Sequence, residues 1–311
     1  MKIKIILLII TLATSIFAQN DEIKATGFTF LRLNYSARAS AMANAFTGLS
    51  NDANAVFFNP AGLTQIETDE ASLTYMNYFM GINCGSAVYA HKMKDATVAF
   101  FVKGLNATED RTLENESGTF DGYDGTFGVS MIELGTSLGK QILHNLDVGI
   151  SAKYLLENLD DKSASAIVFD FAVLHQTTNK HLKLGIVLRN FGKQMSYHNE
   201  YEEGLPRTIS AGFSFHPSEK FYTTIDINKP LEDDIFGSIG TEFQIYPILA
   251  MRMGYKTNAK DWQTGGDLDV FAGISCGLGF DLHHYNMEID YAISSYGDLG
   301  VVNQITLKYN F

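Results

Sequence analysis

The last ten residues alternate in character: Ile305, Leu307, Tyr309 and Phe311 fall on one side of an extended chain, Gln304, Thr306, Lys308 and Asn310 on the other. Strand side chains change face with period two, so this segment has one apolar face and one wet face. Any half-buried strand could read this way, but the other end of the chain narrows the choice. MKIKIILLIITLATSIFAQN, residues 1–20, carries Lys2 and Lys4, an apolar run from Ile5 to Ala13 and small residues up to Ala18. This is the layout of a secretory signal peptide, with cleavage expected after Ala18. The run falls short of the ~20 residues a helix needs to cross a bilayer, and no later stretch supplies them. An exported chain with such a strand reads as an outer-membrane β-barrel, whose strands turn an apolar face to lipid and a polar face to the lumen, with aromatics at the interface. Tyr309 and Phe311 are then the expected C-terminal assembly signal. The expected location is the outer membrane of a Gram-negative-type cell, with outer-membrane lipid as the surrounding partner.

Alternating runs separated by turn residues continue upstream, near 70–80, 84–92, 95–105, 124–140, 145–158, 163–176 and 181–191, then 206–216, 219–229, 235–246, 248–257, 268–280, 284–294 and 302–311. They predict an all-β, transmembrane antiparallel barrel of about fourteen strands, the even number that bacterial barrels use. With both termini periplasmic, connections after odd-numbered strands face outward and should be the long ones. The long polar connections, 106–123, 192–205, 229–234, 258–267 and 295–301, all follow odd-numbered strands; those after even-numbered strands, such as Lys92 to Lys94 and Pro247, are short. A soluble sandwich has no reason to sort its loops by parity.

Charges in the strands fall on the inferred lumen face, where they must be paired or wetted. Glu242 and Arg252 flank the turn at Pro247 and are expected to meet across the hairpin; Asp170 and Arg189 bear a diagonal relation across the sixth and seventh strands. These lumen ion pairs fit either a polar conduit or static ties across the interior. Ahead of the first strand, residues 27–63 are too apolar to hang in water, with an alanine- and methionine-rich stretch of helical character from Ser36 to Phe46. They are expected to fold into the lumen as a plug, marked by Asn59, Pro60 and Ala61, since a barrel of this size encloses a cavity. The resulting division is signal peptide 1–18, plug segment 19–68 and barrel 69–311.

The composition, with 27 glycines, 22 phenylalanines, 15 tyrosines and 5 prolines, suits long aromatic-girdled strands, and the formal charge of −12 argues against nucleic acid as a partner. No nucleophile elbow or phosphate-binding glycine loop is present, and the histidines lack metal spacing, so no enzyme, cofactor or metal is expected. Cys84 and Cys276 lie in strands far apart and read as small apolar residues.

The stretch SARASAMANAFTGLSNDANAVFFNPAGL, residues 36–63, resembles the N-terminal signature of PorV/PorQ-family outer-membrane proteins, which are similar to the wider FadL-like transporters of hydrophobic compounds. Residues 73–91 look like the first hairpin of PorQ-type members; residues 226–234 and 290–311 look like PorV-type members. The resemblance implies a fourteen-stranded barrel with a lumenal plug and an accessory role in type IX protein secretion and surface attachment. Extracellular loops would then bind secreted proteins or other secretion-system components. The alternative is a FadL-like transporter of hydrophobic small molecules. An apolar cavity beside the plug, or an irregular strand giving a lateral opening, would favour the transporter.

Overall fold

The computed structural model describes residues 26–115, 117–198 and 203–311; the signal-peptide region and the acidic residues Glu116, Glu200 and Glu202 lie outside the described residues. Fourteen antiparallel strands close into one barrel. They are β1 (Glu70–Asn77), β2 (Asn83–Lys92), β3 (Ala96–Glu114), β4 (Phe120–Leu143), β5 (Leu146–Leu159), β6 (Lys162–Gln176) and β7 (Leu182–Ser196). The second half comprises β8 (Thr208–Ser218), β9 (Phe221–Pro230), β10 (Phe236–Tyr246), β11 (Leu249–Lys256), β12 (Ile274–Leu282), β13 (Met287–Ser295) and β14 (Val301–Asn310). Closure is made by β14 on β1, in register from Glu70 opposite Asn310 to Asn77 opposite Asn303.

The alternation sorts as the pleat requires. In β14, Gln304, Thr306 and Lys308 are buried inside, whereas Ile305, Leu307 and Tyr309 are exposed on the outer surface. Leu73, Phe100, Ile150, Phe171, Ile239 and Leu278 continue that outer apolar band around the wall. In water such a band would be costly; against acyl chains it is the matched surface. No helix among the described residues is long and apolar enough to cross a membrane. Phe311 packs edge-on against Tyr89 and Tyr309 at the terminal rim.

Two stretches depart from the sequence reading. The connection expected over 106–123 is mostly strand, because β3 and β4 pair from Ala107 opposite Val129 to Glu114 opposite Phe120. This part of the hairpin stands beyond its neighbours: β3 leaves β2 at Asn106 and β4 leaves β5 at Val129. Wetted on both faces, it has no hydrophobic alternation to betray it. Conversely, β12 begins at Ile274 instead of 268, since Asp267–Phe271 forms a 3-10 turn. Asp269 holds that turn by accepting backbone N–H groups of Thr264 at 2.8 Å and Gly265 at 2.7 Å.

Residues 26–66 lie inside the wall. A short helix, α1 (Ala37–Ala41), is capped by Ser36, whose hydroxyl accepts the Ala39 N–H, and it packs on β11 to β14. One 3-10 turn, Ala53–Phe57, meets β1, β2 and β3, and a second, Pro60–Gln65, meets β3 to β6. Phe28, Tyr35, Phe46, Phe58 and Leu63 of this segment are fully buried, each contributing roughly 1.5–3 kcal/mol through its apolar area.

Wall glycines show how the segment fits. Gly139 faces Gly149, Gly185 faces Gly212, and Gly240 faces Gly254 across neighbouring strands. A Cβ at Gly149 would collide with Pro60 and Ala61, one at Gly185 with Thr47, and one at Gly240 or Gly254 with Met42. Each glycine pair is therefore a gap in the lining that admits the backbone of the inner segment.

Candidate functional site

Above the inner segment, toward the end of the barrel formed by the connections after odd-numbered strands, lies a cavity of about 380 Å3. Its floor is made by the inner segment, with Leu31, Leu33, Val56, Phe57 and Phe58 beside the polar Arg32, Asn34 and Asn44. Its mouth is aromatic: Trp262 and Tyr296 stand with ring centres 4.4 Å apart, and Tyr78 joins them at 6.4 Å from Tyr296. Each of these three belongs to a different connecting segment, so the mouth exists only once the barrel has closed.

The cavity wall is charged, and its charges follow the strand order. Lys103 of β3 pairs with Glu133 of β4 at 3.2 Å, and Lys153 of β5 pairs with Asp170 of β6 at 2.7 Å. Arg189 of β7 donates to the Ser210 hydroxyl at 2.6 Å and lies 3.4 Å from Asn228 Oδ1 and 3.5 Å from the Phe57 carbonyl. Lys256 of β11 stands over the rings of Phe236 and Trp262, 4.6 and 5.6 Å from their centres. The expected meeting of Asp170 with Arg189 is replaced: Asp170 takes Lys153 and accepts the Asn190 N–H at 2.8 Å. The reason is local. The β6–β7 register shifts between Phe169 and Phe171, and Asn190 adopts a left-handed φ of 63°, which turns Asp170 toward β5.

Beneath the cavity, a buried ionic network ties the inner segment to the wall. Glu242 and Arg252 lie directly opposite on β10 and β11, with Arg252 Nε 2.5 Å from Glu242 Oε2. Arg38 of α1 grips the same carboxylate with two N–H groups, at 2.8 and 2.9 Å, the planar fork that guanidinium offers a carboxylate. Arg252 continues to Asp290, and Lys308 joins Glu288 at 2.7 Å, Asp290 at 3.5 Å and Asp52 at 3.4 Å. Elsewhere Asp226 accepts the Phe46 and Thr47 N–H groups at 3.0 and 2.9 Å. Asn59 donates to the Thr47 carbonyl at 2.8 Å and accepts the Ala61 N–H at 3.1 Å, while Pro60 begins the turn that fills the Gly139–Gly149 gap.

Sequence reasoning misses Arg38, Asp226, Lys103, Lys153, Lys256 and Trp262, and it places Lys308 in the lumen without its partners. A signal existed for the strand lysines: Lys103 in AFFVKGL and Lys153 in SAKYLL are lone charges on the wet face of otherwise apolar runs. Nothing local marks Arg38, whose partner is 204 residues away. Cys84 is buried and Cys276 exposed, and both are free thiols. Among the described residues no group of three or more His, Cys, Asp or Glu side chains is placed to hold a metal.

No family model and no curated protein matches the chain. Solved structures do. The toluene transporter TbuX of Ralstonia pickettii aligns with a TM-score of 0.62 at 12% identity, covering 89% of this chain and 98% of its own. The Pseudomonas putida toluene transporter TodX aligns at 0.60 with 13% identity, covering 93% of this chain and 98% of its own. A Pseudomonas aeruginosa FadL homologue aligns at 0.59 with 12% identity, over 89% of this chain and 98% of its own.

These findings overturn the PorV/PorQ reading and the accessory role in type IX secretion drawn from it. Structures that share this barrel over nearly its whole length include toluene transporters, a monoaromatic hydrocarbon channel and a FadL homologue. The physical reason for the error lies in the residues that carried the resemblance. Asn59, Pro60, Ala61 and the alanine-rich helix are spent on fitting an inner segment against a wall, a task common to barrels of this architecture whatever they carry. A closed fourteen-stranded barrel with an outward apolar band has the build of an outer-membrane β-barrel, and the two toluene transporters share its fold.

Proposed function

We propose that this protein is an outer-membrane channel for small, largely apolar molecules, of the FadL-like kind, and that it performs no catalysis. The observation that carries the reading is the cavity itself: apolar side chains in its floor and an aromatic mouth, placed on the outward side of a filled lumen. The apolar and aromatic part of that lining suits apolar ligands, and the polar groups of the wall can orient them. Residues 19–68 act as the plug and residues 69–311 as the barrel, after removal of a leader at residues 1–18.

A filled lumen demands a route around the plug, and the wall beside the cavity offers one. Pairing of β7 with β8 stops at Arg189 opposite Thr208, although β7 runs on to Ser196. Beyond Arg189 that side of β7 has no strand partner among the described residues and is bridged by side chains, with Asn190 Nδ2 donating to the Pro206 carbonyl at 3.0 Å and Gln194 accepting the Glu203 N–H at 2.9 Å. Side-chain bridges part at lower cost than a ladder of backbone hydrogen bonds, so this section is the proposed lateral exit toward lipid.

The toluene named for the neighbouring structures is the first probe. Deleting the whole gene should lower the initial rate of uptake of labelled toluene severalfold, and re-expression should restore it. Unchanged rates for toluene and for a panel of small apolar compounds would sink the reading.

A further inference from the structure

We propose that the cavity selects a compact aromatic acid, a ring bearing one negative charge, in preference to the neutral ring compound. This deepens the channel reading and rests on it. The argument begins with the balance of charge at the cavity. Three cations are matched at close range: Arg32 with Asp233 at 2.9 Å, Lys103 with Glu133 at 3.2 Å and Lys153 with Asp170 at 2.7 Å. Arg189 and Lys256 also line the cavity, yet neither pairs with a carboxylate among the described residues. Arg189 makes its hydrogen bonds to neutral oxygens, with the carboxylates of Asp170 and Asp226 nearby but not in contact, and Lys256 touches only the faces of two aromatic rings. The remaining lining carboxylate, Asp261, is exposed at the rim, where water screens it.

Two cations with no carboxylate in direct contact, in a confined space, favour an anion between them, because burying a charge is costly unless it is paired. A donor is also free. Ser238 stands directly opposite Lys256 on the neighbouring strand, lines the cavity and is 3% exposed, and its hydroxyl has no hydrogen-bond partner. A carboxylate placed there would receive the Ser238 O–H and the Lys256 ammonium from β10 and β11, with Arg189 contributing from β7.

The rest of the ligand follows from size and lining. Phe236, Trp262 and Tyr296 offer ring faces and edges beside that charge. A volume of about 380 Å3 is near the small end of the ~300–1,000 Å3 usual for ligand pockets. It suits one substituted ring and excludes a long extended chain.

Trp262 is the chain's one tryptophan, so tryptophan emission of the full-length folded protein in detergent reports on this cavity. Benzoate and the neutral benzyl alcohol are the probes. Benzoate should change the emission saturably, with half-saturation at a concentration at least roughly tenfold lower than benzyl alcohol, an advantage that shrinks as salt is added. Arg189→Gln and Lys256→Gln should each weaken benzoate severalfold while leaving benzyl alcohol unchanged, with folding checked by heat-modifiable migration. Equal affinities for the two probes, an advantage indifferent to salt, or a double variant that keeps the benzoate preference would each overturn the proposal. The salt series needs no variant and so decides the matter even if the substitutions prevent folding. Saturable binding of benzyl alcohol alone would overturn the acid preference and leave the channel reading standing; silence to both probes would remove the cavity as a binding site and the channel reading with it.

Discussion

Asp69, just ahead of β1, joins three parts of the barrel rim. Its carboxylate lies 2.8 Å from His91 Nδ1 and accepts the Tyr89 hydroxyl and the Lys92 N–H, while its carbonyl accepts the Phe311 N–H at 2.9 Å. The hydrogen bond from His91, with those from Lys92 and Tyr89, holds the carboxyl down at about 2 against an ordinary value of 3.8. A folded value below the ordinary one means that the carboxylate favours the folded state fully above about pH 4, and that this contribution is lost as pH falls toward 2. Asp69→Asn should therefore unfold at lower urea than the parent near neutrality, with the gap closing between about pH 4 and pH 2. A gap that stays constant across that range would show that Asp69 does not titrate there. Asp69 reaches Tyr89 and His91 across the β1–β2 hairpin, but Phe311 joins them only through the closure of β14 on β1, which put that part of the cluster out of reach from the sequence.

At the scale of elements, α1 and the strands around it are held by charge more than by helix propensity, for a helix of five residues has no stability of its own. Arg38 is the one α1 side chain that reaches the ionic network. Arg38→Met would leave Glu242 with Arg252 alone and Asp52 with Lys308 alone. Breaking a buried pair costs about 3–5 kcal/mol, and here the loss should fall on the inner segment. The expected result is faster proteolysis within residues 26–66, with the heat-modifiable barrel retained; protease resistance equal to the parent would show that packing against the glycine gaps alone holds the segment. Strand positions were legible from sequence because a wall residue between lipid and lumen must alternate. The outer part of the β3–β4 hairpin and the 3-10 turn at Asp267–Phe271 were not, because outside the membrane that constraint lapses.

For the whole molecule, plug and channel make separable predictions. In a background carrying Cys84→Ala and Cys276→Ala, Ala41→Cys and Ala61→Cys should resist a bulky, membrane-impermeant thiol reagent in folded protein, since both alanines are fully buried. Ala107→Cys, on the outer hairpin, should react readily. Uniform fast labelling along residues 26–66 would remove the plug, whatever the uptake measurements show.

The barrel, its strand number and the lumenal place of its strand charges were legible in the sequence. Each of these is a local consequence of a chain that meets lipid on one side of every strand and water or protein on the other, so period and turn chemistry carry them. Tertiary structure alone decided which charges pair. Glu242 and Arg252 could be matched in advance because one tight turn joins them, but Arg38 finds Glu242 across 204 residues, and a shifted register at Asn190 gives Asp170 to Lys153. It alone decided the cavity too: Tyr78, Trp262 and Tyr296 are far apart along the chain, and the want of a directly bonded carboxylate at Arg189 and Lys256 appears only after every other partner has been assigned in space.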